Sequence, residues 1–560
     1  MPVPVIVLNF GHSVLNSLED YTQAASEIYR HYRQGQNVVA VTSAQGDQTD
    51  VLMAEARRIG PEGEAKNLPE LLQLGERRSA ALLALALERI GAPAFVRQAR
   101  DLGLTAEGSF TEARLTGLNT PQLLQDLKDH DIVVMPGFVA IGEKDRAVLL
   151  GDGGADLTAL YVADQLGVEA VLLKDVDGIY EVDPKANPEA GRYEQISWDD
   201  ATRVAGPLIA PRALGFARKN EVPFRVGQPG LPSYTRVDAK TGNLKASPAP
   251  QTLKVAMMGL GSVGGGVFRR IAAHSEQFDL VKILVRSREK YIDQGYHPDL
   301  VTTDFEDLIA AKPDIFIDVS GGIEPALARC QTMLEAGVHV VSANKQAIAA
   351  GGQSLLDFAT ARGAQLHFSA AAGGGMPILE MCQREAGRIT RVRALLNGTT
   401  NYMLDEIGKG RSYAEALKAA KDKGFAEEDP SSDVSGDDAA AKIRLIAMLA
   451  FGEAITLEDI PMDTIADFNP ETPAKGAWKR VAKLWKDQNG FSSALQLKDL
   501  SHNNFLAQAD GEEAHAIFDF EDGDQYRIRG KGAGRWPTTE SVMADLFDCL
   551  LYTSPSPRDS

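Results

Sequence analysis

Residues 253–264 read L-K-V-A-M-M-G-L-G-S-V-G. The apolar run 253–258 predicts a strand, and the amphipathic segment that follows the glycines, through Ile271, predicts a helix. G-x-G-x-x-G alone is a weak signal, but between a strand and a helix it is a dinucleotide fingerprint. Its glycines let the backbone approach a pyrophosphate, whose charge meets the helix N-terminus. Gly259, Gly261, Ser262, Val263 and Gly264 are therefore candidate cofactor contacts. The second strand, 280–285, ends in Arg286-Ser287-Arg288, where an NAD-binding chain carries an acid for the ribose. Arginines at that place accommodate a 2′-phosphate, so NADP is the expected cofactor and NAD the alternative. Residues 314–320 and 339–343 continue a parallel sheet, and Lys345 falls at the carboxyl end of a strand, where such sheets bind ligands.

A second stretch, residues 424–442, reads G-F-A-E-E-D-P-S-S-D-V-S-G-D-D-A-A-A-K and packs six carboxylates and one lysine into nineteen residues. Good helix formers over 439–450 predict a helix start. Asp438 and Lys442, four apart, then share one face, with the acid near the favourable end of the helix dipole. Taken singly, such a pair reads as a surface ion pair of little energetic weight.

Its company changes the reading. Ala343-Asn344-Lys345, A-A-G-G-G-M-P at 371–377 and L-N-G-T-T-N-Y at 396–402 precede it, and G-K-G-A-G-R-W-P-T at 530–538 follows. In this order, over residues 253–548, the motifs closely resemble homoserine dehydrogenases. That resemblance implies reduction of aspartate semialdehyde to homoserine with a nicotinamide cofactor, on the path to threonine, isoleucine and methionine. It places Glu427 at the substrate amine, Asp433 beside it, Thr399 near the substrate, and Asn344 and Gly532 at the cofactor. Backbone carbonyls of Ala372, Gly374 and Met376 correspond to the family's monovalent-cation loop, whose acidic ligand is replaced here by Ser369. Hydride transfer builds negative charge on the aldehyde oxygen, which an ammonium stabilises and protonates. Lys442 is the expected acid, Lys345 the electrostatic and positioning group, and Asp438 the residue that orients Lys442 or a water; spacing does not rank the two lysines. The expected assembly is a homodimer or homotetramer.

A formal charge of −19 and a pI near 5.0 argue against nucleic acid or an anionic membrane as the main partner. Cys330, Cys382 and Cys549 show no metal or redox spacing, which suits a reducing compartment. The start lacks a signal-peptide pattern and no apolar run is long enough to span a membrane, so a cytoplasmic enzyme is expected.

The first part of the chain alternates strand-like runs at 3–8, 38–43, 132–135 and 170–174 with helical runs such as 79–90, an α/β pattern. T-S-A-Q-G-D-Q-T-D at 42–50, L-G-E-R-R-S-A at 74–80, M-P-G-F-V at 135–139 and K-D-V-D-G-I-Y at 174–180 resemble the aspartokinase branch of the amino-acid kinase family. Glu76, Asp156, Asp175, Asp177 and Asp183-Pro184 match its pattern, but Asn9, Asp152 and Pro207 stand where it has lysine, arginine and lysine. Phosphoryl transfer rests on positioning and on neutralising phosphate charge, so these losses strike the chemistry itself. A kinase fold without kinase activity is expected, the alternative being a weak kinase that uses Lys174, Lys185 or Arg212.

The expected architecture is α/β. An amino-acid-kinase-like domain covers 1–235, and a Pro-, Gly- and Ser-rich linker without room for regulatory domains covers 236–251. A Rossmann domain follows at 252–377, an α+β substrate and dimerisation domain at 378–525, and a return to the cofactor domain at 526–548. C-L-L-Y-T-S-P-S-P-R-D-S, residues 549–560, reads as a non-native tail. Three functional readings follow: a dehydrogenase with a kinase-like scaffold, a bifunctional kinase–dehydrogenase, and a pair of binding modules. The intact Lys345, Glu427, Asp433, Asp438 and Lys442 set disfavours the last, and the missing basic residues disfavour the second.

Overall fold

The computed structural model describes residues 3–60, 66–187, 189–206, 208–242, 244–246, 252–426, 428–470 and 476–553. It divides into two compact units, Met1–Arg89 with Pro93–Ala249, and Ile90–Ala92 with Pro250–Ser560.

The first unit is built on an eight-stranded sheet whose centre runs Phe224–Gly227, Ala170–Leu173, Val5–Phe10, Asn37–Thr42 and Ile132–Pro136. These central strands are parallel to one another. The Asn37–Thr42, Ile132–Pro136 and Ala170–Leu173 strands are buried at every position, because helices cover both faces of a parallel sheet. The strand Tyr234–Asp238 belongs to this sheet, antiparallel to Phe224–Gly227 and parallel to Gln195–Ser197. The 236–251 linker reading is corrected there. Thr235 and Val237 are fully buried, an alternation that the surrounding Pro, Gly and Lys residues mask.

In the second unit, six parallel strands lie in the order Val301–Thr302, Phe278–Leu284, Leu253–Met258, Ile315–Asp318, His339–Ser342 and Leu366–His367. Numbered along the chain, this is the 3-2-1-4-5-6 order of a dinucleotide-binding sheet, with its switch point beside the Leu253–Met258 strand. A five-stranded antiparallel sheet follows, in the order Gly490–Leu500, Ala477–Asp487, Ile389–Ala394, Glu513–Phe520 and Gln525–Lys531. Ala439, Ile443 and Ile446 of the helix Asp437–Ile446 pack in one core with Val392, Ala394, Ala482 and Leu484 of that sheet.

Since Gln525–Lys531 completes the antiparallel sheet, the chain leaves it after Lys531, later than the expected position 526. It then enters the helix Arg535–Thr553. Val542, Met543, Leu546 and Phe547 of this helix join Val267 and Ile271 of the fingerprint helix Ser262–Ala272 in one cluster. Cys549 and Leu550, the first residues of the segment read as a tail, are buried in the same cluster. Among the described residues no helix is long and apolar enough to cross a membrane.

Candidate active site

The Leu253–Met258 strand delivers the chain into the glycine turn at the switch point. Gly259 has φ +101°, and a Cβ there would lie 2.7 Å from the carbonyl oxygen of Val319. A Cβ at Gly264 would lie 2.3 Å from the carbonyl of Gly259, so these two glycines let turn, helix and neighbouring strand close up. Gly261 differs: a Cβ there would meet nothing within 4 Å. The residue is exposed, and it leaves open space directly before the amino end of the eleven-residue Ser262–Ala272 helix, a cradle of the kind a pyrophosphate fills. Arg286 is exposed at the end of the second strand. Arg288 is committed to the backbone, donating from Nε to the Val301 carbonyl at 3.0 Å and from Nη2 to that of Pro298 at 2.8 Å.

Across the switch point, Asp318 is fully buried, and burial raises its carboxyl against the hydrogen bonds from Ser320, Asn344 and Ser342. Asn344 caps the helix Lys345–Arg362 by accepting from Ala347 N at 3.2 Å, and its amide donates to the Gly322 carbonyl at 2.8 Å. Lys345 is therefore held as the first residue of a capped helix, just beyond the His339–Ser342 strand.

Here the two motif groups meet. Asp438 accepts from Lys345 Nζ through Oδ1 at 2.7 Å and from Lys442 Nζ through Oδ2 at 2.9 Å. Gly436, at φ +111°, is the single residue between the short helix Ser431–Ser435 and the helix Asp437–Ile446, and Asp437 and Asp438 then fill the positive first turn. Burial alone would raise the Asp438 carboxyl, but the two ammonium groups outweigh it and hold the group well below the usual carboxylate range. Lys442 donates also to the Leu396 carbonyl at 2.6 Å, and its side chain is 7% exposed against 34% for Lys345. One carboxylate thus serves a buried and a half-exposed ammonium, with the latter facing outward.

Asn397 completes the cluster. Its Nδ2 donates to Asp433 Oδ1 at 2.6 Å and to Asp438 Oδ2 at 3.0 Å, while its Oδ1 caps the helix Gly398–Gly408 through Thr400 N at 2.8 Å. Thr399 donates to the Phe425 carbonyl at 2.6 Å. Glu427, two residues on, lies outside the described residues. Behind Asp433, Arg480 is 4% exposed and donates to the carbonyls of Asp433 and Val434, the latter at 2.8 Å. Burial lowers its guanidinium to about 10 against the opposing pull of Asp433 and Asp438. Sequence reading missed Asn397 and Arg480. The first carries a local signal, an Asn before a helix, whereas the second is one basic residue in the strand Ala477–Asp487 and carries none.

In the glycine-rich loop, Gly373 and Gly374 have φ +98° and +56°, and a Cβ at Gly374 would lie 2.9 Å from the Lys531 carbonyl. This loop therefore packs against the backbone of the 530–534 motif that contains Gly532. The Met376 carbonyl accepts from Ile378 N at 2.8 Å, and Ser369 N donates to Asp545 at 3.0 Å.

In the first unit the candidate basic groups are already engaged. Lys174 donates to both oxygens of Asp156 at 2.8 and 2.9 Å, and Asn9 donates to the same carboxylate at 2.5 Å. Lys185 pairs with Asp175 at 2.6 Å, and Arg212 donates to the carbonyls of Leu150 and Ala113 at 2.5 and 3.0 Å. Asp152 is exposed, and Pro207 lies outside the described residues.

Comparison with known proteins matches three families along the chain. Residues 4–227 match the amino acid kinase family, 259–369 the NAD binding domain of homoserine dehydrogenase, and 377–547 the homoserine dehydrogenase family. The chain is 32% identical over 314 residues to the homoserine dehydrogenase of Bacillus subtilis, covering 53% of this chain and 72% of that one. It is 33% identical over 319 residues to that of Synechocystis, covering 53% and 73%. The crystal structure of a homoserine dehydrogenase from Thiobacillus denitrificans superposes with a TM-score of 0.50 at 28% identity, covering 53% of this chain and 73% of that one.

Proposed function

The chain belongs to the homoserine dehydrogenase family, and on that premise we propose that Lys345, Asp438 and Lys442 form the proton-handling centre of its reaction. The reaction is the reduction of aspartate semialdehyde to homoserine with a nicotinamide cofactor, a step in threonine, isoleucine and methionine biosynthesis. The observation that carries the assignment is Asp438, whose carboxylate joins both ammonium groups at 2.7 and 2.9 Å.

When bound, the reduced nicotinamide supplies the hydride. The residues of this chain that fit it are Gly259, Gly261, Ser262, Val263 and Gly264, around the open cradle at Gly261, with Asn344 and Gly532 assigned to its borders. Arg286 is assigned to a 2′-phosphate, a reading that favours NADP over NAD, while Arg288 braces the Pro298 and Val301 carbonyls.

As the aldehyde carbon accepts a hydride, its oxygen gains negative charge, and a fixed ammonium offsets that charge and delivers a proton. Lys442 is assigned the proton. Its remaining N–H points from a buried site, where its charge is worth more than in water. Lys345, more exposed, positions the substrate and adds positive potential. Asp438 pairs with both lysines, and Asn397 couples Asp438 to Asp433, which with Glu427 is assigned to the substrate amine. Thr399 ties its helix to the chain at Phe425.

The carbonyls of Ala372, Gly374 and Met376 do not make a monovalent-cation site by themselves. Met376 O accepts from Ile378 N and keeps a second lone pair, but Ser369 supplies no charge beside the loop. No step is drawn through a cation.

The first unit is assigned a scaffold role. Lys174, Lys185 and Arg212, the basic groups available to replace lost phosphate contacts, are spent on Asp156, Asp175 and two backbone carbonyls. Two assays test the reading together. NADPH deuterated at the transferring position should give homoserine with deuterium on its hydroxyl-bearing carbon. Incubation with ATP and aspartate, trapped with hydroxylamine, should give no aspartyl phosphate; turnover near one per second would restore the bifunctional alternative.

A further inference from the structure

Away from the lysine pair, the C-terminal helix Arg535–Thr553 meets the edge strand Leu366–His367 at three side chains with metal-ligand chemistry. His367, Asp545 and Asp548 each offer one ligand atom, and these atoms all lie within 4.8 Å of one another. We propose that they form a binding site for one divalent transition-metal cation of the zinc, cobalt or manganese class, which ties the helix to the sheet.

The donor set points to that class. One imidazole nitrogen with two carboxylate oxygens suits zinc and its neighbours, whereas magnesium and calcium take oxygen alone. Three protein ligands leave a position for water. The geometry is nearly made: Asp545 and Asp548 are three apart on one helix and so share a face, while His367 comes from a strand distant in the chain. Ligands about 2.0–2.2 Å from a tetrahedral ion lie about 3.4 Å apart, so an inward movement on the order of 1 Å gathers the three atoms.

Burial and orientation supply independent support. Asp545 is 0% exposed, so a cation that it holds is shielded from bulk water on that side. Asp545 accepts the Ser369 N–H at 3.0 Å, and His367 Nε2 lies 3.0 Å from Gln365 Oε1. Hydrogen bonds of this kind orient metal ligands from outside, and a His367 that donates Nε2–H keeps on Nδ1 the lone pair a metal takes. The loop carbonyls of Ala372, Gly374 and Met376 are not part of this donor set.

The test uses the full chain, stripped with EDTA and titrated with Co2+, Zn2+ and Mg2+. One equivalent of Co2+ per chain should bind with visible d–d absorption, and Zn2+ at about 100-fold excess over its dissociation constant should raise the unfolding midpoint on the order of 5 °C. Mg2+ should do neither. His367→Gln should keep the midpoint of the stripped protein and lose both the Co2+ bands and the Zn2+ shift, and Asp548→Asn should weaken binding about 10-fold or more. Absence of stoichiometric Co2+ binding, an equal response to Mg2+, or unchanged Co2+ bands in His367→Gln would each overturn the proposal.

Discussion

Replacing Asp438 by Asn removes the charge that two ammonium groups share while keeping the size of the side chain. In the wild-type protein this carboxylate lies 2.7 Å from Lys345 and 2.9 Å from Lys442, and Lys442 is only 7% exposed. Stripping a buried ion pair of one partner costs about 3–5 kcal/mol, because the remaining charge is left without compensation. That cost falls on the charged form of the lysine. The alkaline limb of the turnover–pH profile should therefore move to lower pH. On the alkaline side of that limb turnover should fall on the order of a hundredfold, with recovery toward lower pH. The assay is steady-state reduction of aspartate semialdehyde across pH, with the unfolding midpoint measured in parallel to show that the variant is folded. A variant with lowered turnover and an unshifted profile would refute the electrostatic role, and normal turnover would remove Asp438 from the mechanism.

Lys442→Ala should lower turnover about a hundredfold or more with the fold intact, and normal turnover would transfer the proton to another group. Arg286→Ala should raise the Michaelis constant for NADPH at least about tenfold more than that for NADH, whereas Arg288→Ala should chiefly lower stability, since Arg288 binds the Val301 and Pro298 carbonyls; equal cofactor effects at Arg286 would make it an ordinary surface residue. In the first unit, burial pushes the Glu76 carboxyl up to about 8 from the usual 4.5, so the folded state holds a proton that the unfolded chain releases. Its stability contribution is full below pH 4.5 and is lost as pH rises through 8; Glu76→Gln should flatten that decline in a melting series, and an unchanged pH slope would show that Glu76 does not cause it.

Local patterns were legible and long-range partnerships were not. The fingerprint could be read because its strand, glycines and helix are contiguous, and the Asp438–Lys442 contact because one helical turn separates them. Nothing in the spacing shows that Lys345, from the parallel-sheet half, reaches the other oxygen of Asp438. Arg288 looked equivalent to Arg286 because both follow the same strand, and only the course of the 298–301 backbone separates their roles. Lys479 and Arg480 are adjacent, charged and buried on opposite faces of one strand, the first against Asn401 and Asp405, the second against the short helix that carries Asp433. Charge patterning reads such a pair as solvated. The strand Tyr234–Asp238 was hidden by turn-forming neighbours, and it took its place from sheet pairing rather than from propensity.

The most direct measurement of the central claim is the initial rate of NADPH oxidation by the purified full chain with aspartate semialdehyde, beside Lys442→Ala under the same conditions. The account expects turnover in the ordinary enzymatic range, roughly 1–1000 per second, from the wild-type chain, and a loss of about a hundredfold or more in the variant. A folded wild-type chain that binds NADPH and leaves the aldehyde unreduced would contradict it.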